Sequence, residues 1–148
     1  MAATLTEHAE PGQYIPSELV ESVAELLRLL AETWWTKVGS SKAAGLLLLI
    51  MSEARAFPDV AQFYLDEVVA PSHALLSRVI ERGIRRGEFR DMDVTSVVHG
   101  LIAPAQFLVL YRQCTAVCSS NPAPLDPQRF MHTQIELILK GLEHPPQS

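Results

Sequence analysis

Basic side chains are in short supply: 12 Lys and Arg stand against 17 Asp and Glu, a formal net charge of −5 over 148 residues. A surface that tracks nucleic-acid phosphates needs Lys and Arg clustered over a broad face, so the deficit argues against such a surface in this chain. The arginines at 78, 82, 85, 86 and 90 come nearest, but Glu81, Glu88, Asp91 and Asp93 dilute them into a solvated helix end. Cysteine is almost absent. Cys114 and Cys118 sit four residues apart in a helical context, where both thiols share one face and a disulfide is not expected in a reducing compartment. A redox pair or half a metal site is not expected either, because His73, His99, His132 and His144 are scattered and supply no further ligands at suitable spacing. No metal and no cofactor is therefore expected. The opening MAATLTEHAE has neither a basic region nor an apolar core, so it is not a signal peptide. Uninterrupted apolar runs fall far short of the roughly 20 residues of a membrane span. The expectation is a soluble, cytoplasmic protein with no membrane partner. Also missing are a glycine-rich phosphate loop, a GxSxG elbow, an HExxH helix and paired carboxylates isolated in an apolar run. No catalytic residue is assigned and an enzyme is not expected. Glu53, the nearest thing to a buried acid, lies where its helix turns polar.

What the chain does have is apolar periodicity. Hydrophobic residues make up 48% and charged residues 20%, the balance of a globular domain long enough to fold without staples. Residues 1–16, with Pro11-Gly12 and Pro16, read as a flexible lead-in, residues 17–142 as one domain, and residues 143–148 as a disordered tail. With Ser17 as N-cap, Leu19, Val23, Leu26, Leu27, Leu30 and Trp34 mark an amphipathic helix ending near Gly39. The segment KAAGLLLLIMSEARA is apolar all round in its middle, which predicts a central helix over 42–55. Asp93 is placed to cap a long helix through Pro104, which is expected to bend it. Val94, Val98, Leu101, Ala105, Leu108 and Arg112 lie along one stripe, while His99, Gly100, Ala103, Gln106, Phe107, Leu110 and Tyr111 occupy the other side. After the breaker-rich SSNPAPLDP loop, expected to be mobile, Asp126 caps and Pro127 opens a last helix, with Leu125 stapling onto Phe130. That helix carries Phe130, Met131, Ile135, Leu137, Ile138, Leu139 and Leu142 on more than one side. No strand signal appears. Helices with two apolar faces need a second partner, and a symmetric copy of the same chain is the commonest.

Residues 57–90 carry the clearest punctuation. Pro58 and Asp59 suit a first helical turn, and Val60, Phe63, Tyr64, Glu67 and Val68 form a stripe expected to face inward. Pro71 is expected to break that helix. Leu75, Leu76, Val79, Ile80 and Ile84 form a second stripe, ending at the breakers Gly83 and Gly87.

This stretch resembles the C-terminal half of bacterial TetR-family (AcrR-like) transcriptional regulators, with the pattern FPxxAxFYxxEVxxP, a leucine-rich helix, then RGxxxGEFR. The matching residues are Phe57, Pro58, Ala61, Phe63, Tyr64, Glu67, Val68, Pro71, Arg82, Gly83, Gly87, Glu88, Phe89 and Arg90. The likeness extends to Trp34-Trp35, to the helix ending at Glu53–Arg55, to the Pro104 helix and to LKGL at 139–142, covering roughly residues 17–142. It implies an all-α antiparallel bundle of about six helices that dimerises through its last two long helices and holds a small hydrophobic effector among the earlier ones. The effector candidates are Trp34, Trp35, Met51, Phe63, Tyr64, His73, Gln106, Phe107 and Tyr111, as large apolar residues with a few polar groups. The candidates for the homodimer interface are His99, Ala103, Leu110, Phe130, Gln134, Leu137 and Ile138. His99 and Gln106 would find partners across that interface, or ligand and water in a pocket. Such regulators, often repressors, also carry an N-terminal helix-turn-helix, and 16 residues before Ser17 are too few for one. Operator DNA is thus expected as a partner only through a missing N-terminal domain. Two alternatives are a naturally headless dimer that sequesters a paralogous regulator and, with less support, a small all-helical enzyme.

Overall fold

The computed structural model describes residues 22–117 and 125–144. Their elements are α1 (Val23–Trp34) with a π-helical turn (Trp35–Gly39), α2 (Ala43–Ser52), α3 (Pro58–Tyr64) with a π-helical turn (Leu65–Val69), α4 (Ala70–Arg85), α5 (Val94–Val117) and α6 (Pro127–Leu142). Among the described residues there is no strand, only an isolated antiparallel bridge between Phe89 and Glu143. The fold is all-α.

One core joins four helices. Val23, Leu26 and Leu27 of α1, Val79 and Ile80 of α4, Val97, Val98 and Leu101 of α5, and Ile135, Leu139 and Leu142 of α6 are buried together around Phe89. A second cluster of Trp35, Ala105, Leu108 and Met131 continues it towards the other end, with Leu125 and Phe130 packed against it. Three helices, α1, α5 and α6, start where side chains supply the missing acceptors. Ser22 accepts from Glu25 N at 3.1 Å, Asp126 from Arg129 N at 3.0 Å, and Asp93 from Ser96 N at 3.2 Å. The cap of α1 is Ser22; the expected cap Ser17 lies outside the described residues, as do Cys118 and most of the expected mobile loop.

The turn after α4 knots three helices together. Gly83 does not break α4; a Cβ there would collide with the ring of Phe89, so the missing side chain is the seat for that ring. Gly87 takes φ +77 and lets the chain leave the helix, a conformation that a Cβ would strain. Glu88 then reaches back, its Oε2 accepting from Val23 N at 2.8 Å at the start of α1, while Arg86 Nε sits 3.3 Å from Oε1. Arg90 N donates to Leu142 O at 2.9 Å, closing the end of α6 onto the same turn.

Several expectations need correction. Pro71 does not break its helix: α3, the π-helical turn and α4 follow one another without a gap from Pro58 to Arg85. The turn bonds Ala70 N to Leu65 O, the wider i−5 spacing that makes room for a ring otherwise in conflict with the carbonyl four residues back. The segment 42–55 is not a central helix. α2 is shorter and lies at the periphery, with Ala44 its sole buried residue and Leu46 and Leu49 more than half exposed. The stripe of α3 does not face inward, since Val60 is 50% and Phe63 68% exposed. All-round apolarity does not amount to burial here; the helices that close the core are the amphipathic α1, α4 and α6 with one face of α5. Finally, α5 is long and apolar enough, by length and composition, to cross a membrane, although scattered Gly, Ser, His and Gln interrupt every apolar run.

Candidate functional site

Among the described residues, this packing leaves uncovered surfaces and recesses. α5 divides as its stripes do. Val97, Val98, Leu101, Ala105, Leu108 and Val109 are buried, while Phe107 and Leu110 are 47% and 51% exposed and His99, Ala103 and Gln106 are also bare. On α6, Met131, Ile135, Leu139 and Leu142 point into the core, and Leu137 is 62% exposed. The two bare strips meet where the ring of Phe107 lies 5.5 Å from that of Phe130. The expected interface residues His99, Ala103, Leu110, Phe130, Gln134, Leu137 and Ile138 all lie on these two helices, with Phe130, Gln134 and Ile138 half-buried.

The expected effector residues do not line a single recess. Trp35 is buried in the second core cluster and Trp34 packs against it. Met51 and Phe63 are on the bare outer faces of α2 and α3. Tyr64 is half-buried, and burial pushes its phenol pKa above the ordinary value. His73 meets His99 edge to face, with ring centroids 4.6 Å apart, and His99 Nδ1 lies 2.8 Å from Thr95 O. Phe107 stacks on Tyr111 at 6.0 Å, and the Tyr111 hydroxyl accepts from Leu125 N at 3.2 Å. Gln106 faces outward on the bare side of α5.

The larger recess, about 340 Å³, lies between α1 and α6 over Ala31, Trp35, Met131 and Ile135, with Arg28, Glu32, Thr36, Gln128 and His132 at its rim. Arg28 is engaged there: its Nε and Nη2 donate to the two oxygens of Glu136 at 2.5 and 3.2 Å. That fork raises the pKa of Arg28 and lowers that of Glu136. The smaller recess, about 210 Å³, opens between the end of α1, the start of α2 and α5, lined by Gly39, Ser40, Ser41, Lys42, Ala44, Val109, Arg112 and Gln113. Its geometry starts at the first π-helical turn. A Cβ on Gly39 would lie 2.8 Å from Trp34 Cζ3 and closer still to the Trp35 ring, so only glycine lets both indoles fold under this turn. Arg112 Nη1 donates to Gly39 O at 3.0 Å, and its guanidinium carbon sits 5.8 Å from the Trp35 ring centroid. None of Lys42, Arg112 and Gln113 was expected at a site. The available signal was Arg112, a cation on an otherwise apolar stripe. Cys114 is a free, exposed thiol.

A bundle closed around one face of α5 and α6, with the other face bare, has the build of a regulatory domain that binds ligand and dimerises. The family model described as tetracyclin repressor-like, C-terminal domain matches residues 20–116. The chain belongs to that family, which is regulatory and not enzymatic. The match ends within α5, so α6 extends past the matched span. No curated protein and no solved structure matches the chain.

Proposed function

We propose that the chain is a cytoplasmic effector-binding and homodimerisation domain of a TetR-family regulator, pairing through α5 and α6 and controlling a helix-turn-helix domain by binding a small organic molecule. The observation that carries it is the apolar surface left uncovered on those two helices, exposed at Phe107, Leu110 and Leu137, with half-buried Phe130 beside Phe107. In a monomer that surface would lie in water, and apolar surface of this kind marks an interface. Its coverage by a second subunit also accounts for an α5 as apolar as a membrane span. Effector binding would then act by favouring one of two arrangements of the pair, so changing the spacing of attached reader domains on operator DNA. Sedimentation equilibrium tests the pairing. The expected result is a dimer that dissociates in the Leu110→Glu, Leu137→Glu double variant, since both positions are exposed in one subunit and a two-fold would bring like charges together. A monomer at all concentrations, or a dimer indifferent to that variant, would sink the proposal.

A further inference from the structure

We infer that the recess between Gly39 and Gln113 binds an oxyanion, a carboxylate or phosphate group, through Arg112, Lys42 and Gln113, and that this group is the head of the effector. The second half rests on the effector-binding reading above. The lining of this recess contains two cations and no carboxylate, in a chain whose net charge is −5. Among the described residues, the ion pairs are Arg28–Glu136, Arg86–Glu88 and Lys140–Glu143, so neither Lys42 nor Arg112 has an acidic partner.

One of the donors is fixed in place. Arg112 is held by the Gly39 carbonyl on one side and the Trp35 ring on the other. A guanidinium has five N–H donors, and the carbonyl takes one. Gln113 is set against Gly45, where its amide nitrogen comes within 3.3 Å of the place a Cβ would occupy. The hydroxyls of Ser40 and Ser41 are turned away, donating to Thr36 O and Val38 O, so the guanidinium, the ammonium and the amide remain as donors. Planar bidentate donation from arginine suits carboxylate and phosphate oxygens. At about 210 Å³ the recess is below the roughly 300–1,000 Å³ of sites that enclose a whole drug-sized ligand. It has room for a head group, with Ala44 and Val109 as the apolar wall beside it.

Sodium phosphate, octanoate and the neutral octanol, titrated into the intact protein and followed by tryptophan emission and calorimetry, decide the matter. Phosphate or octanoate is expected to bind with a saturable change in emission, because the guanidinium they engage lies over Trp35. Affinity should fall about tenfold or more in Arg112→Gln and in Lys42→Gln, the loss of a charged hydrogen bond, and should weaken with salt. Lys42 is exposed, so its variant remains informative if Arg112→Gln fails to fold. Octanoate binding more tightly than both phosphate and octanol supports the whole inference. Phosphate binding as tightly as octanoate supports the oxyanion site and overturns its link to the effector. Octanol binding as tightly as octanoate, unaffected by either variant, overturns the site and leaves effector binding standing. Failure of both anions to bind, or affinity unchanged in both variants, overturns the inference.

Discussion

At the scale of single residues, the missing side chains are as informative as those present. Gly83 and Gly141 both sit in helices, where replacing glycine by alanine ordinarily stabilises by about 0.5–1 kcal/mol. At Gly141 a Cβ meets nothing within 4 Å, so Gly141→Ala should raise the melting temperature modestly. At Gly83 the same methyl runs into the Phe89 ring, which is 2% exposed and has no free space to retreat into. Overpacking should outweigh the helical gain, and Gly83→Ala should cost about 1–3 kcal/mol in denaturant unfolding. Equal effects from the two substitutions would mean that Phe89 is not seated as described. The glycine was visible in the sequence, but its role was not. A breaker and a seat look alike until the residue six positions on is known to fold back over it.

At the scale of elements, helix ends explain both what was legible and what was not. The caps Asp93 and Asp126 were legible because an N-cap acts on residues two or three further along. The cap contributed by Glu88 to α1 was not, because it acts on an amide 65 residues away in the chain. Glu88→Ala should cost about 0.5–2 kcal/mol and loosen the first turn of α1 in hydrogen exchange, whereas an unchanged Val23 amide would refute the capping role. Two carboxylates, exposed Asp93 and half-buried Glu136, add a pH dependence. Hydrogen bonds from Ser96 hold Asp93 below its ordinary pKa, and the Arg28 fork does the same for Glu136. A depressed folded-state pKa means stability that is present above the ordinary value and lost as pH falls through the folded one. Chemical-denaturation midpoints should therefore fall below about pH 4, with a smaller fall in Glu136→Gln. Legibility failed most clearly at α2 and α3. Their apolar runs state a need for cover, and a single chain does not say whether that cover is its own core or another surface.

At the scale of the whole molecule, the question is what pairs with the bare strip of α5 and α6. If dimer formation covers it, folding and association are coupled, and the melting temperature should climb as protein concentration rises about a hundredfold. A melting temperature independent of concentration would argue against coupling. The two stripes of α5 could be read from spacing alone, and so could the idea that one is left over, since periodicity reports faces directly. The recess at Arg112 could not, because it is assembled from the end of one helix, the start of the next and the middle of a third. The turn that carries Phe89 adds a mechanical asymmetry. It rivets the beginning of α1, the end of α4 and the end of α6 at one pole of the bundle, whereas α2 at the other pole buries Ala44 and no other residue. Displacements of the bundle should thus pivot about the riveted pole and grow towards α2, so a molecule lodged beside Lys42 would act at the long arm of the lever.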